Sequence, residues 1–310
     1  MQQEPDKESV LLALKDITET EESLLSYAKD AVKESAEHFV SEKIGKLFHL
    51  TSVYKRVFER HPEIREAFDD WHEVEHEWDT FLKDVDAGLD DLGSPPLTKG
   101  QVVPVDLALI DARSGESNSL KHFVTKGVQT KKESEQSAAD ISPVVLPPSS
   151  QSSASEMSCT SPALDASPPV SAAVLDEFQK RDAAIVLVSF GEREGALKWL
   201  ADTGCPFDLL LDKSRQLYHS FGLKRSVYKV WSISCLLYYA EQMRAGRTLP
   251  SPYEDIHDDP NQMGGDFIIA KDGQILLAHC SQTASDRPSV DSLLQTLESG
   301  TVSNLDISAG

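Results

Sequence analysis

The sequence predicts a mixed α/β sandwich preceded by an acidic helical domain, and three observations predict it. Before Gly93, apolar residues recur at three- and four-residue steps, the period of a helix with one buried face. From Ala183 onward, a continuous apolar run, a second strand and an Asp-Gly hairpin alternate with short helices. Between these halves lies a Ser/Pro-rich stretch without a single aromatic residue.

The clearest helical stripe follows His61-Pro62, a proline suited to a first helical turn. It runs through Ile64, Ala67, Phe68, Trp71, Val74, Trp78, Phe81, Leu82, Val85 and Leu89, until Gly93-Ser94-Pro95-Pro96 stops it. Upstream, Val10, Leu14 and Ile17, then Leu24 through Val40, give a weaker stripe, and Thr51-Ser52 reads as the cap of a third helix through Val57 and Phe58. Stripes need partners, so residues 1–93 form either a helical bundle or a helical arm packed on the next domain. In this region acidic residues outnumber basic ones roughly two to one.

Residues 101–128 read as an opening β-hairpin, with strands at Val105–Ile110 and Ser119–Val124 around Arg113-Ser114-Gly115-Glu116. Residues 129–173 are dominated by Ser, Pro and Ala. Such a segment cannot bury enough surface to offset its ordering entropy, and it is expected to be a disordered insert. Residues 174–299 hold the rest of the α/β domain, and 300–310 form a tail. There Ala183–Phe190 is a strand buried on both faces, followed by a helix over Glu194–Asp202 and a strand over Phe207–Leu211. A short helix closed by Gly222, a longer helix over Tyr228–Arg244, a hairpin around Lys271-Asp272-Gly273 and a last helix from Arg287-Pro288-Ser289 complete the order.

A net charge of -21 on 310 residues argues against nucleic acid or an anionic membrane as partner, since both demand Lys/Arg stripes. MQQEPDKES has neither the basic nor the apolar region of a secretory signal, and apolar runs such as Cys235–Ala240 are too short to span a bilayer. Four widely spaced cysteines with no CxxC pair fit a reducing compartment. The expectation is a soluble, cytoplasmic protein.

The segments FDLLLDKSRQLYHSFGLKRS and MGGDFIIAKDGQILLAHCSQTASDRPSVDSLL carry a resemblance. Asp212 with Leu217-Tyr218 and Phe221-Gly222, the run Gly264-Gly265-Asp266-Phe267, and Asp286-Arg287-Pro288-Ser289 resemble the AhpC/TSA-like, peroxiredoxin-like proteins of the thioredoxin superfamily, nearest to the selenoprotein L group. DLALIDARSGESNSLKHF resembles the hairpin that opens such domains. The resemblance implies a thioredoxin-like α/β sandwich and thiol- or selenol-dependent reduction of peroxide or disulfide, with no metal or flavin. It also implies a Cys/Sec-x-x-Cys/Sec motif at the N-terminus of the first helix, after a buried strand. Helix dipole and free backbone N–H groups lower a thiol pKa there, and the thiolate is the nucleophile.

That strand and motif fall where the Ser/Pro-rich stretch stands. The sandwich is therefore expected to be incomplete, with Val144-Val145-Leu146 the run available as a poor substitute. The sequence reads as a splice variant or gene model that skips a catalytic exon, as a selenocysteine UGA codon invites. The position of a thioredoxin-type cis-proline is held by Gly264-Gly265.

Cys159, between Met157-Ser158 and Thr160-Ser161-Pro162, has neither a preceding strand nor a following helix. Cys205, in Gly204-Cys205-Pro206, leads into a strand and reads as structural; Cys235, among Leu236, Leu237 and Tyr238, reads as core; Cys280 ends a hairpin strand, its exposure unread. His72-Glu73-Val74-Glu75-His76 spells the zincin pattern H-E-x-x-H. Both histidines, however, point roughly 130–170° away from the apolar stripe of their helix, toward solvent. No catalytic, cofactor-binding or metal-ligating residue is therefore assigned. Two functions stay open: a redox protein working with a thiol reductant, catalytically incomplete in this chain, or an interaction protein acting through its acidic helices.

Overall fold

The computed structural model describes residues 7–68, 72–89, 95–126, 141–146, 172–247, 253, 259–283 and 286–305. The helical half comprises α1 (Lys7–Glu34), α2 (Ala36–His38), a π-helical and a 3₁₀ turn over Phe39–Lys43 and Ile44–Phe48, α3 (His49–Arg60), α4 (Pro62–Phe68) and α5 (His72–Gly88). The sandwich then runs β1 (Leu109–Asp111), β2 (Ser117–Asn118), α6 (Lys121–Lys126), β3 (Ile141–Leu146), α7 (Ala172–Lys180), β4 (Val186–Ser189), α8 (Arg193–Thr203) and β5 (Asp208–Leu211). It closes with α9 (Gln216–Ser220), α10 (Val227–Trp231), α11 (Ile233–Arg244), β6 (Gly265–Ala270), β7 (Ile275–Cys280) and α12 (Val290–Leu305).

The strands form one sheet in the order β2-β1-β5-β4-β3-β6-β7. β3, β4 and β5 are parallel, joined by α7 and α8 as consecutive βαβ units. β4 is buried along its whole length, as its continuous apolar run demands. The hairpin β6–β7 turns at Gly273, whose φ of 86° lies where only glycine is unstrained, and Gly273 N–H donates to Ala270 O at 2.8 Å. The outcome is the mixed α/β sandwich with a helical N-terminal region that the sequence predicts.

The central strand corrects one expectation. Ile141–Leu146 is not without structure: it pairs parallel with β4 through Val144 and Val145, and antiparallel with β6 along all six residues. The sheet is therefore continuous rather than incomplete. Pro143 is tolerated because the β3–β4 ladder begins only at Val144, so its missing donor interrupts nothing on that side. The rest of the Ser/Pro-rich stretch, Cys159 included, lies outside the described residues.

Four smaller corrections follow from packing. Ser119–Val124 is not a strand: β2 ends at Asn118, and Leu120, Phe123 and Val124 are buried at helical spacing leading into and through α6. Thr51 is not a cap but is fully buried inside α3, which starts at His49. The helix expected over Tyr228–Arg244 is broken at Ser232, whose hydroxyl accepts from Cys235 N–H at 3.3 Å and starts α11 afresh. The last helix runs on to Leu305, beyond the boundary placed at residue 299.

The N-terminal helices share one core with α10 and α11. Ile17, Tyr54, Phe58, Trp78 and Leu82 are buried together with Val230, Trp231, Leu236 and Tyr239. Polar groups fix the contact: Trp78 Nε1 donates to Trp231 O at 2.9 Å. Asp86 accepts from the Ser226 hydroxyl at 2.7 Å and from the Val227 and Tyr228 amides, capping α10 across the interface. The helical region is thus a layer packed on α10 and α11.

Replacing Val145 by Pro tests the corrected strand. It removes a backbone donor from a strand paired on both sides, so stability should fall by at least about 1–3 kcal/mol, read from the urea midpoint. An unchanged midpoint counts against β3.

Candidate functional site at one end of the sheet

Because β3, β4 and β5 are parallel, their carboxyl ends share one edge of the sandwich, where open α/β sheets place ligands. β6 runs against them and β7 with them, so the start of β6 and the end of β7 lie at the same edge. The register sets Leu146 opposite Gly265, and Gly265 opposite Cys280. Gly265 has no room for a side chain: a Cβ there would strike the His279 carbonyl oxygen and the Phe267 ring.

The residues that carry the family resemblance meet at this edge, and most hold it together. Asp212, 2% exposed at the end of β5, accepts from the amides of Gln216, Leu217 and Tyr218 at 3.1, 2.7 and 3.1 Å, capping α9. That cap sets Tyr218, whose hydroxyl donates to Val188 O at 2.9 Å. Burial pushes the Tyr218 phenol far up, with the Asp212 charge adding to it, so it stays neutral as a structural tie. Phe221 and Phe267 stack with centroids 3.9 Å apart.

Asp266 is 6% exposed and pairs with Arg287 at 2.7 Å, joining β6 to the segment before α12. Burial raises the Asp266 pKa, and the Arg287 guanidinium opposes it. Beside this pair, His279 Nε2 lies 3.2 Å from Asp286 Oδ1, and Asp286 Oδ2 accepts from Gln282 N–H at 2.7 Å.

Three cysteines fall among the described residues. Cys205 sits in the loop between α8 and β5, where burial pushes its thiol up and its carbonyl accepts from Arg113 Nη2 at 2.6 Å. Cys235 lies in the first turn of α11 but is 4% exposed, inside the helical core. Cys280 is half-buried at the edge itself, in a cleft of about 230 Å³ with Lys229 of α10. Burial pushes its thiol up, and the Lys229 charge pulls it back. The sequence reading missed this neighbourhood; no local motif joins the end of a hairpin to a helix so far upstream.

Of the H-E-x-x-H run, His76 is exposed, while the side chains of residues 72–75 lie outside the description. Among the described residues no three His, Cys, Asp or Glu side chains gather as a metal site, and no helix is long and apolar enough to cross a membrane.

Comparison with known proteins places the sandwich. Residues 171–283, from the start of α7 to just past β7, match the family described as AhpC/TSA antioxidant enzyme. Among solved structures, the chain is similar to the Xanthomonas campestris bacterioferritin comigratory protein, at 18% identity over 66% of this chain and 99% of that one, with a TM-score of 0.39. It is also similar to peroxidoxin BcpB from Mycobacterium tuberculosis, at 19% identity over 66% and 97%, TM-score 0.39. Mycobacterium tuberculosis AhpC gives 18% identity over 66% and 98%, TM-score 0.38. No match was found among curated proteins.

Arg287→Met tests the buried pair. It leaves the Asp266 carboxylate buried without its cation, at a loss of about 3–5 kcal/mol at neutral pH. With Arg287 gone, burial holds the folded pKa above the unfolded 3.8, so stability is full below that value and falls as pH rises through the folded pKa. Part of the loss should therefore return on acidification, seen as a smaller gap in urea midpoint near pH 4 than at pH 7.

Proposed function

We propose that this is a peroxiredoxin-like redox protein, built for thiol- or selenol-dependent reduction of peroxide or disulfide, whose present chain is catalytically incomplete. The redox class is supported by the match of residues 171–283 to an antioxidant enzyme family. The incompleteness rests on one observation: none of the three described thiols combines a seat on the first turn of a helix with access to solvent. Cys205 is in a loop, Cys280 ends a strand, and Cys235 has the helix but not the solvent. The peroxide-reducing sulfur that the resemblance implies needs both, because a helix start favours its thiolate and a sealed thiol meets no substrate.

The group we infer as nearest is selenoprotein L, and the chain reads as a splice variant or gene model lacking the exon with paired Cys or Sec. Ile141–Leu146 then holds the slot of the lost strand. The protein is cytoplasmic in this reading, with a thiol reductant or protein partner. A second reading, a non-catalytic interaction protein, is favoured by Leu11 and Leu12, adjacent on α1 and 67% and 69% exposed.

Recombinant chain assayed with hydrogen peroxide and an NADPH-coupled thioredoxin system should show no turnover above background, and Cys159→Ser should change nothing. Turnover abolished by Cys159→Ser overturns the proposal. Translating the genomic interval between the codons for Gln129 and Val174 should reveal a frame with an apolar strand followed by paired Cys or UGA codons; its absence removes the exon-skipping explanation.

A further inference from the structure

The cleft at the end of β7 gathers groups from four separate segments: the loop from Gly222 to Ser226, Lys229, Met263, and Cys280-Ser281. Cys280 is half-buried on its wall, with Sγ donating to Phe221 O at 3.3 Å, which fixes where the sulfur sits. Next to it, Ser281 lines the same cleft and is 2% exposed, and its hydroxyl has no hydrogen-bond partner. A buried hydroxyl is costly to leave unsatisfied, and such an orphan points to a group that is supplied from outside.

Of the three cations that line the cleft, Lys224 is exposed, and Arg225 and Lys229 differ in how far they are neutralised. Arg225 is engaged by Asp259 at 2.6 Å and Glu37 at 3.4 Å. Lys229 is half-buried, and burial lowers its pKa; the first charge acting against that is the Cys280 thiol, then Asp86 and Asp286. Asp86 already accepts from the Ser226 hydroxyl and two α10 amides, and Asp286 lies beside His279 and accepts from Gln282. An incoming carboxylate would add a further counter-charge to Lys229, whose ammonium burial disfavours.

We propose that this cleft is a thiol-exchange site, in which Cys280 forms a mixed disulfide with a small carboxylate-bearing disulfide whose acid group is held by Lys229. The Cys280 thiol gives its proton to solvent, and the thiolate attacks one sulfur of the incoming disulfide. The new Cys280 S–S bond forms as the old S–S bond breaks; the departing half leaves as thiolate and takes up the proton. Cys280 is oxidised to the disulfide level, and the small disulfide supplies the oxidising equivalents. A hydroperoxide offers Lys229 no negative charge, whereas a carboxylate disulfide is drawn to a cleft where the thiol and the Lys229 ammonium share one wall. The exchange is a single stoichiometric modification and holds whether or not the chain turns over peroxide.

The test uses the full chain with two probes, oxidised glutathione, which carries carboxylates, and the uncharged hydroxyethyl disulfide, with mass mapping of cysteine peptides over time. Among the described thiols, the Cys280 peptide should gain the glutathionyl group before those of Cys205 and Cys235. Lys229→Met should slow oxidised glutathione at Cys280 at least about threefold more than it slows the uncharged probe, while Lys229→Arg keeps the preference. Cys280 trailing Cys205 or Cys235, or Lys229→Met slowing both probes alike, overturns the proposal.

Discussion

A strand paired along both of its sides is the constraint on which the rest of this molecule depends. β4, β5, β1 and β2 form one ladder and β6–β7 another, and Ile141–Leu146 is what joins them. Without it two strand edges would lie open in the middle of the sandwich, each with unpaired amides and carbonyls. The same strand sets the geometry of the functional edge. Its last residue opposes Gly265, which opposes Cys280, so the position of the half-buried thiol is fixed by two successive registers rather than by any loop.

The helical layer is tied to that edge by chemistry as well as by packing. α5 buries Trp78, Leu82 and Val85 against α10 and α11, and its carboxylates occupy helix starts that would otherwise hold orphan amides. α10 in turn carries Lys229 to the cleft. The acidic N-terminal residues and the cleft thus belong to one mechanical unit, although they lie at opposite ends of the chain.

Much of the fold was legible because its signals are local. The run Ala183–Phe190 yields the buried β4, Asp272-Gly273 yields the tight hairpin, and Trp78, Leu82 and Val85 are buried as their spacing requires. What stayed hidden was decided by distant partners. Val144-Val145-Leu146 was legible as a substitute strand, but its extension back to Ile141 through Ser142-Pro143 was not, being held by ladders to residues far along the chain. Ser232 looks like one more polar position on a helix until Asp79, from α5, stands 3.4 Å from the Ile233 amide at the new start. In the sequence the four cysteines form no CxxC pair, which is a matter of letters. The meeting of Cys280 with Lys229 was not legible, since nothing in either neighbourhood names the other.

Asp79 and Asp86 stand seven residues apart on α5, two helical turns or about 10.5 Å along its axis. One serves the beginning of α11 and the other the beginning of α10. The helix therefore acts as a ruler whose graduations must match the offset between two other helices. Inserting or deleting one residue between those aspartates would swing one of them by about 100° and leave a helix start without its acceptor. Length between these two positions is constrained more tightly than the identity of most residues that fill it.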